Sequence, residues 1–589
     1  MKQFFKYVFA TVVGIIISSI LMVILLIGII TVSISSIGSS SETTVSPNSV
    51  LQVTLDHAIT EKTVPSPFED LNIPGASSVK SLGLNDIISR IKAAETDDNI
   101  KGIYLNVSAV NVGFASLHAI RESLKEFKES GKFIVAYSDV MTQKAYYVAS
   151  IANEVYISPV GSVDFRGLSS SVMFMKDALD KLGVEMQVVK VGTYKSAVEP
   201  FILNEMSAAN RTQVESYLNS LYDGFVRDIA SARSIDEQRV RQAADEYLIQ
   251  FPEDAVKERF VDSLLYRDEL LAKLKQKVGV DQKKDLPSIS LLDYKKSADS
   301  GSTSGGSRVA VLYAFGDIID GNAQDIDQIG GESLSRELRK LREDDKVKAI
   351  VLRVNSPGGS ALASDLIWRE VTLAKKVKPV VVSMGDYAAS GGYYISAAAD
   401  SIFADAGTLT GSIGVFGLIP NLQNLFNNKL GIHFDAVKTG QFADMGIDRP
   451  MNAQERTIVQ GGVNRIYQQF MQRVADGRGL SIAQVDSIGQ GRVWTGAQAI
   501  ELGLVDRIAS LDDAVKSAAK MAKLDKYKVS EYPRAKDPFE SVFSSSKEKV
   551  KMWFMEDELG EHVHYVKELR KLMRNTGIQA RIPYTVEIN

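Results

Sequence analysis

The sequence predicts an α/β protein: two tandem, related domains behind an N-terminal transmembrane helix. Three observations predict this class. A long uncharged apolar run opens the chain, one stretch of sequence is written twice, and each copy alternates short β-branched runs with amphipathic helical patterns.

The apolar run comes first. After Lys2 and Lys6 no charged residue occurs until Glu42, and Tyr7 to Ile37 is rich in Ile, Val and Leu. A helix needs about 20 apolar residues to cross a bilayer, and this run exceeds that. A cleavable signal peptide has a shorter apolar core ahead of its small-residue site. A retained anchor over residues 1–40 is therefore expected, even with Ser33, Ser35 and Ser36 following the core. Lysines before the span and an acidic residue after it favour a cytoplasmic N-terminus. The rest of the chain then lies across the membrane, in the periplasm if the source is a bacterium.

The repeat sets the domain plan. Asp97-Asp98-Asn99-Ile100-Lys101-Gly102-Ile103-Tyr104-Leu105 reads like Asp344-Asp345-Lys346-Val347-Lys348-Ala349-Ile350-Val351-Leu352, at an offset of 247 residues. The same offset carries Tyr146-Tyr147-Val148 onto Tyr393-Tyr394-Ile395, and the helical pattern of Leu84 to Ala94 onto Gly331 to Leu341. Ser297 to Ser307, mostly Ser, Gly, Thr, Ala and Asp, has the composition of a flexible linker. Related domains are thus expected over residues 48–296 and 308–535. The tail, 536–589, is charged and mixed; Val550 to Met573 within it has the pattern of an amphipathic helix, suited to packing or an oligomer contact.

Within each copy, Gly102 to Val107 and Ala349 to Val354 are nearly continuous apolar runs, as strands buried on both faces of a parallel sheet would be. Phe133 to Tyr137 and Pro379 to Ser383 follow the intervening helices. Strand, helix, strand at this spacing is a βαβ unit.

Composition removes several chemistries. The chain has 589 residues, more than one core organises, and no cysteine, which excludes disulfides and thiolate nucleophiles. The five histidines lack metal-site spacing, so neither metal nor cofactor is expected. A net charge of -4 gives no reason to expect a nucleic-acid partner.

The two copies diverge where chemistry would sit. Asn355-Ser356-Pro357-Gly358-Gly359-Ser360 follows a strand in the second half, whereas the first has Ser108-Ala109-Val110-Asn111-Val112-Gly113. Paired glycines let backbone N–H groups approach a ligand and hold an anionic oxygen, although a tight strand-to-helix turn explains them as well. Ala388-Ala389-Ser390-Gly391-Gly392 offers a serine among small neighbours before a helix, with the Gly391 amide beside it; the first half has Gln143 there. Read alone, such a serine is as readily a helix cap. In the other direction, Gly192-Thr193-Tyr194-Lys195-Ser196-Ala197 aligns with Gly440-Gln441-Phe442-Ala443-Asp444, so the first half keeps a lysine that the second lacks. One composite site shared between two copies has this pattern.

On these residues the chain resembles the signal peptide peptidase A family in its long, duplicated form, also called protease IV. The resemblance spans nearly the whole chain and rests on Tyr194 to Pro200, Asn355 to Gly359, Ala389 to Tyr394, Thr410-Gly411-Ser412-Ile413-Gly414-Val415 and Gly491-Arg492-Val493-Trp494-Thr495-Gly496. It implies a fold similar to Clp protease and crotonase, each half a ββα superhelix. It also implies a serine endopeptidase with Ser390 as nucleophile, Lys195 as base, Ser412 orienting the lysine amine, and the amides of Gly359 and Gly391 as oxyanion donors. The implied clients are hydrophobic peptides, above all signal-peptide remnants in a bacterial inner membrane, with the N-terminal helix in contact with lipid. A homo-oligomer, a tetramer with a bowl-like interior, is implied too.

The chemistry is self-consistent only if the lysine is neutral. Its ordinary pKa near 10.4 must fall by about three units, roughly 4 kcal/mol, which burial without an acidic partner can supply. Glu199, four residues on, would oppose this if it reached the amine. A Ser-His-Asp triad would turn to His433, in Gly431-Ile432-His433-Phe434-Asp435, which reads as a strand. A crotonase-like acyl-thioester enzyme would use the same glycine amides for an enolate, and a non-catalytic membrane scaffold would only bind peptides.

Overall fold

The computed structural model describes residues 6–22 (except 8, 10 and 12), 45–63, 82–294, 306–534 (except 324 and 326) and 577–582. The first half is organised on a parallel sheet. Its strands lie in the order Ser263–Leu264, Glu154–Val163, Phe133–Met141, Ile100–Leu105, Ser49–Val53, Ser288–Ser290. The helices Leu84–Thr96 and Phe114–Glu129 bury Ile87, Ile91, Leu117, Ile120, Leu124 and Phe127 in one core with it. These residues recur at three- and four-residue steps, as a helix with one buried face requires.

The second half repeats the plan. Val493–Thr495, Leu409–Gly411, Val380–Ala389, Val347–Ser356, Arg308–Phe315 and Lys528–Tyr532 form its sheet, parallel except for the pairing of Leu409–Gly411 with Val493–Thr495. The helices Gly331–Glu343 and Ala361–Lys375 fall at the repeat offset from their first-half counterparts, as do the short helices Gln143–Ala149 and Gly391–Ser396. A long helix closes each half, Ala208–Arg233 and Ala453–Arg478.

A third sheet joins the halves. Its order is Gln328–Gly330, Asp317–Ile319, Gly358–Ser360, Gly577–Arg581, Val415–Asn421, Glu185–Val191. The last strand belongs to the first half, and all seven of its residues pair antiparallel with Val415–Asn421 of the second. Buried polar contacts pin the same junction: Arg353 and Asn355 donate to Glu61, and Ser116 donates its N–H and hydroxyl to Asp386.

Some expectations end differently. Residues 431–438 form no strand; they are exposed coil, His433 included. Of the apolar run from Tyr7 to Ile37, the stretch from 23 onward lies outside the described residues, as do most of the linker and the Val550 to Met573 segment. Among the described residues no helix is long and apolar enough to cross a membrane.

Candidate active site

The interdomain strand explains how two distant residues meet. Glu185–Val191 runs along the second half and delivers the loop that follows it to the end of the second-half sheet. There Tyr194 N–H donates to the Gln490 carbonyl at 2.8 Å, and Arg492 lies over the rings of Tyr194 and Trp494. Gln213, from the long first-half helix, donates to the Tyr194 carbonyl and the Ser196 hydroxyl while accepting from Val493 N–H. The loop is thereby clamped on both sides of Lys195.

Lys195 is 1 % exposed, and its Nζ lies 2.8 Å from Ser390 Oγ. The amine also donates to Ser412, to the carbonyl at 3.2 Å and to Oγ at 3.1 Å. The Ser412 hydroxyl in turn donates to the Gly491 carbonyl, which leaves its oxygen free to accept from the lysine. Lys195 Nζ donates toward Ser390 Oγ, whose own hydroxyl donates to the Gly414 carbonyl at 3.4 Å; in the neutral amine the lone pair can take that position instead, with two N–H groups left for Ser412. Burial holds the Lys195 pKa well below the ordinary lysine range, with no charged neighbour contributing. Glu199 is buried as well, but its carboxylate accepts from Ser207 N–H, the Ser207 hydroxyl and Asn210, so it is engaged away from the amine.

Ser390 is not a helix cap. It precedes the helix Gly391–Ser396 yet makes no side-chain cap bond, and it holds φ 54°, ψ -110°. A non-glycine residue in such a conformation carries strain of order 1–3 kcal/mol, which locates at sites where a side chain must be aimed. Gly391 follows at the helix start, and Gly359 lies in the short strand after Val347–Ser356. The two segments touch: a methyl group placed on Gly358 would sit 2.8 Å from the Gly391 nitrogen. Both amide-bearing segments therefore flank the serine.

The rival residues are accounted for. His433 is exposed and has no hydrogen bond to Ser390. Lys438, the second-half lysine matched by Lys190 in the first half and so the competing base, is exposed and paired with Asp444 at 3.0 Å. In the first half, Gln143 accepts from the N–H groups of Arg166 and Gly167 and donates to the Gly167 carbonyl, filling the place where Ser390 would stand. Among the described residues no group of His, Asp or Glu is placed to hold a metal.

Residues 126–281 and 372–525 match the family model described as Peptidase family S49, one span in each half. The chain belongs to peptidase family S49. It is a serine peptidase, and the acyl-thioester and scaffold alternatives lose their support. Residues 318–404 match the Clp protease model, so this S49 peptidase has a Clp protease-like α/β fold carrying two family repeats. It is 38% identical over 447 residues to Protease 4 of Haemophilus influenzae, covering 74% of this chain and 72% of that one. Identity to Protease 4 of Salmonella typhi is 39% over 472 residues (78% and 75% covered), and to the chloroplastic serine protease SPPA of Arabidopsis thaliana 32% over 459 residues (75% and 66%).

Sequence reasoning missed some of this S49 peptidase's site. Gly491 and Gly414 wall the lysine: a methyl group on Gly491 would lie 2.7 Å from the Lys195 backbone, and one on Gly414 3.2 Å from its Cδ. Both belong to motifs quoted above, so a signal existed. Gln213 had none, since one glutamine on a long helix face looks like any other.

Proposed function

We propose that this S49 peptidase is a membrane-anchored endopeptidase in which Ser390 and Lys195 form the catalytic dyad. The observation that carries the reading is the 2.8 Å contact between a buried serine hydroxyl and a buried amine that has no acidic partner. A neutral amine takes the serine proton as Oγ attacks a peptide carbonyl and then returns it to the leaving amine. Ser412 orients the amine, and the amides of Gly359 and Gly391 receive the carbonyl oxygen as it gains charge.

Hydrophobic peptides, signal-peptide remnants foremost, are the proposed clients. Residues 1–40 are proposed to anchor the chain in the inner membrane of a bacterium, with domains 48–296 and 308–535 on the periplasmic side. In support, the described part of the N-terminal helix leaves Tyr7, Phe9, Ile15, Leu21 and Met22 exposed, a surface suited to lipid. A homo-oligomer, a tetramer, belongs to the same proposal. Its support is the exposed second-half counterpart of the interdomain strand, where Ile432, Phe434 and Val437 lie uncovered.

The test is a serine-directed fluorophosphonate followed by peptide mapping. Label on Ser390 alone, with Ser390→Ala unlabelled and at least about 10³-fold less active at an unchanged Tm, is expected. Label on another serine would refute the assignment.

A further inference from the structure

The serine and the paired glycines leave neighbouring strands of the second-half sheet. Val347–Ser356 leads to Gly358 and Gly359, and Val380–Ala389 leads to Ser390. The strands keep one register from Ile350 opposite Val380 to Val354 opposite Met384, and then Ser356 pairs with Ala388. One strand advances two residues there while the other advances four, so Gly385, Asp386 and Tyr387 bulge from the ladder. A bulge bends its strand and re-aims the side chains beyond it. Ser390 lies just beyond this one.

A bulge also strands backbone groups, and here side chains take them up. Tyr387 N–H donates to Asn355 Oδ1 at 3.0 Å. Asn355 Nδ2 donates in turn to Glu61 Oε1 at 2.7 Å, and the same carboxylate accepts from Arg353 Nε at 2.9 Å. Glu61, Arg353 and Asn355 are all buried, and Glu61 comes from the first half. It packs on the bulge itself: a methyl group placed on Gly385 would lie 2.5 Å from Glu61 Oε1. The network also reaches the glycines. Gly316 N–H donates to the Asn355 carbonyl, the Ser356 hydroxyl donates to the Gly316 carbonyl, and Gly358 N–H donates to the Ser356 hydroxyl. At the repeat offset the first half has Asn106 and Ser108 where Arg353 and Asn355 stand, so only the half with the serine carries these two partners. Joining the halves by an ion pair would need Arg353 alone; the bond to Asn355 is what ties Glu61 to the bulge.

We infer, on the dyad reading above, that Glu61 is a positioning residue of the peptidase. Acting through Asn355, it fixes the bulge at Gly385–Tyr387 and so the placement of Ser390 against the amides of Gly359 and Gly391. The first half then gives the site a base at Lys195 and a brace at Glu61. Glu61 touches no reacting atom, so its loss slows bond making and leaves the basicity of the amine alone.

Kinetics of Glu61→Gln on a hydrophobic peptide, together with its rate of labelling by a serine-directed fluorophosphonate, test this. The expected result is a loss of roughly 10²-fold in kcat and in Ser390 labelling, with KM little changed and the rising limb of the pH–rate profile unmoved. Gly385→Ala, which displaces the Glu61 carboxylate without removing its charge, should show the same loss, and it decides the matter if Glu61→Gln does not fold. Adding Asn355→Ala to Glu61→Gln should cost little more, because one residue acts through the other. Asn421→Ala removes a hydrogen bond to Glu185 at the far end of the interdomain strand pair and should keep wild-type kcat. Wild-type kcat and labelling in folded Glu61→Gln and Gly385→Ala would overturn the inference and leave the dyad standing. A shifted pH limb would overturn it as well, since Glu61 would then act on Lys195, and so would an equal loss in Asn421→Ala, since any loosening of the halves would then suffice. Wild type that takes no label on Ser390 would bring down the dyad reading and the role of Glu61 with it.

Discussion

Asn210 donates to Glu199 at 2.9 Å, and that bond helps hold the carboxylate nearest in sequence to Lys195 away from its amine. Both side chains are buried. Burial alone accounts for the lowered Lys195 pKa, with Glu199 bound instead to Ser207 and Asn210.

Replacing Asn210 with Ala removes one of the donors to a buried carboxylate. Stability should fall by about 1–3 kcal/mol, the cost of leaving such a group short of a partner. Chemical denaturation reads that loss. A second readout is the pH–rate profile: a carboxylate freed toward Lys195 would favour the ammonium and move the rising limb to higher pH, whereas a purely structural loss leaves the limb in place.

The lysine itself is tested by charge. Only the neutral amine accepts the serine proton, so the rate should rise with pH through the depressed Lys195 pKa. Lys195→Ala and Lys195→Arg should both be inactive, the latter because guanidinium stays protonated. Lys438→Ala, which removes exposed contacts with Asp444 and the Gln441 carbonyl, should keep most activity. An active Lys195→Arg enzyme would refute the dyad.

Gly491 has φ +78°, and a side chain there would press on the backbone of Lys195. Gly491→Ala should lower kcat by roughly 10²-fold, as small displacements of a catalytic group do, with KM little changed. Steady-state kinetics on a peptide substrate separates the two constants. A larger effect on KM would mean that Gly491 shapes the groove and not the lysine.

How much of this was legible follows from what each residue type announces. Ser390 and Lys195 stood out because the copies differ there, with Gln143 in place of the serine and Phe442 or Ala443 in place of the lysine. The strands Ile100–Leu105 and Val347–Ser356 were readable because burial on both faces writes an unbroken apolar run. Residues 431–438 misled: they carry a β-branched and aromatic pattern, yet they pair with no strand and lie exposed, while the corresponding first-half segment Glu185–Val191 pairs with Val415–Asn421. Gly577–Arg581 escaped because a short strand that pairs with distant segments has no local period of its own.

His118 of the first half contacts Asp405 of the second at 2.6 Å. Burial opposes its charge, but the hydrogen bond and charge of Asp405, with Asp228 and Glu122 nearby, outweigh this and raise its pKa to about 9. The stabilisation is complete below the ordinary value of 6.5 and is lost as pH rises through about 9. His118→Gln should therefore lower Tm most at pH 6, with the deficit shrinking toward pH 10. A deficit independent of pH would show that packing, not charge, is what His118 contributes.

The strand Glu185–Val191 also sets the timing of the protein's birth. A ribosome has released Lys195 long before it reaches Ser390, and Gly491 emerges later still. Until that point the nascent chain holds Lys195 without Ser390, so on the proposed dyad a half-made molecule has no peptidase activity. Under that proposal, proteolytic competence arrives only when Glu185–Val191 of the first half pairs with Val415–Asn421 of the second.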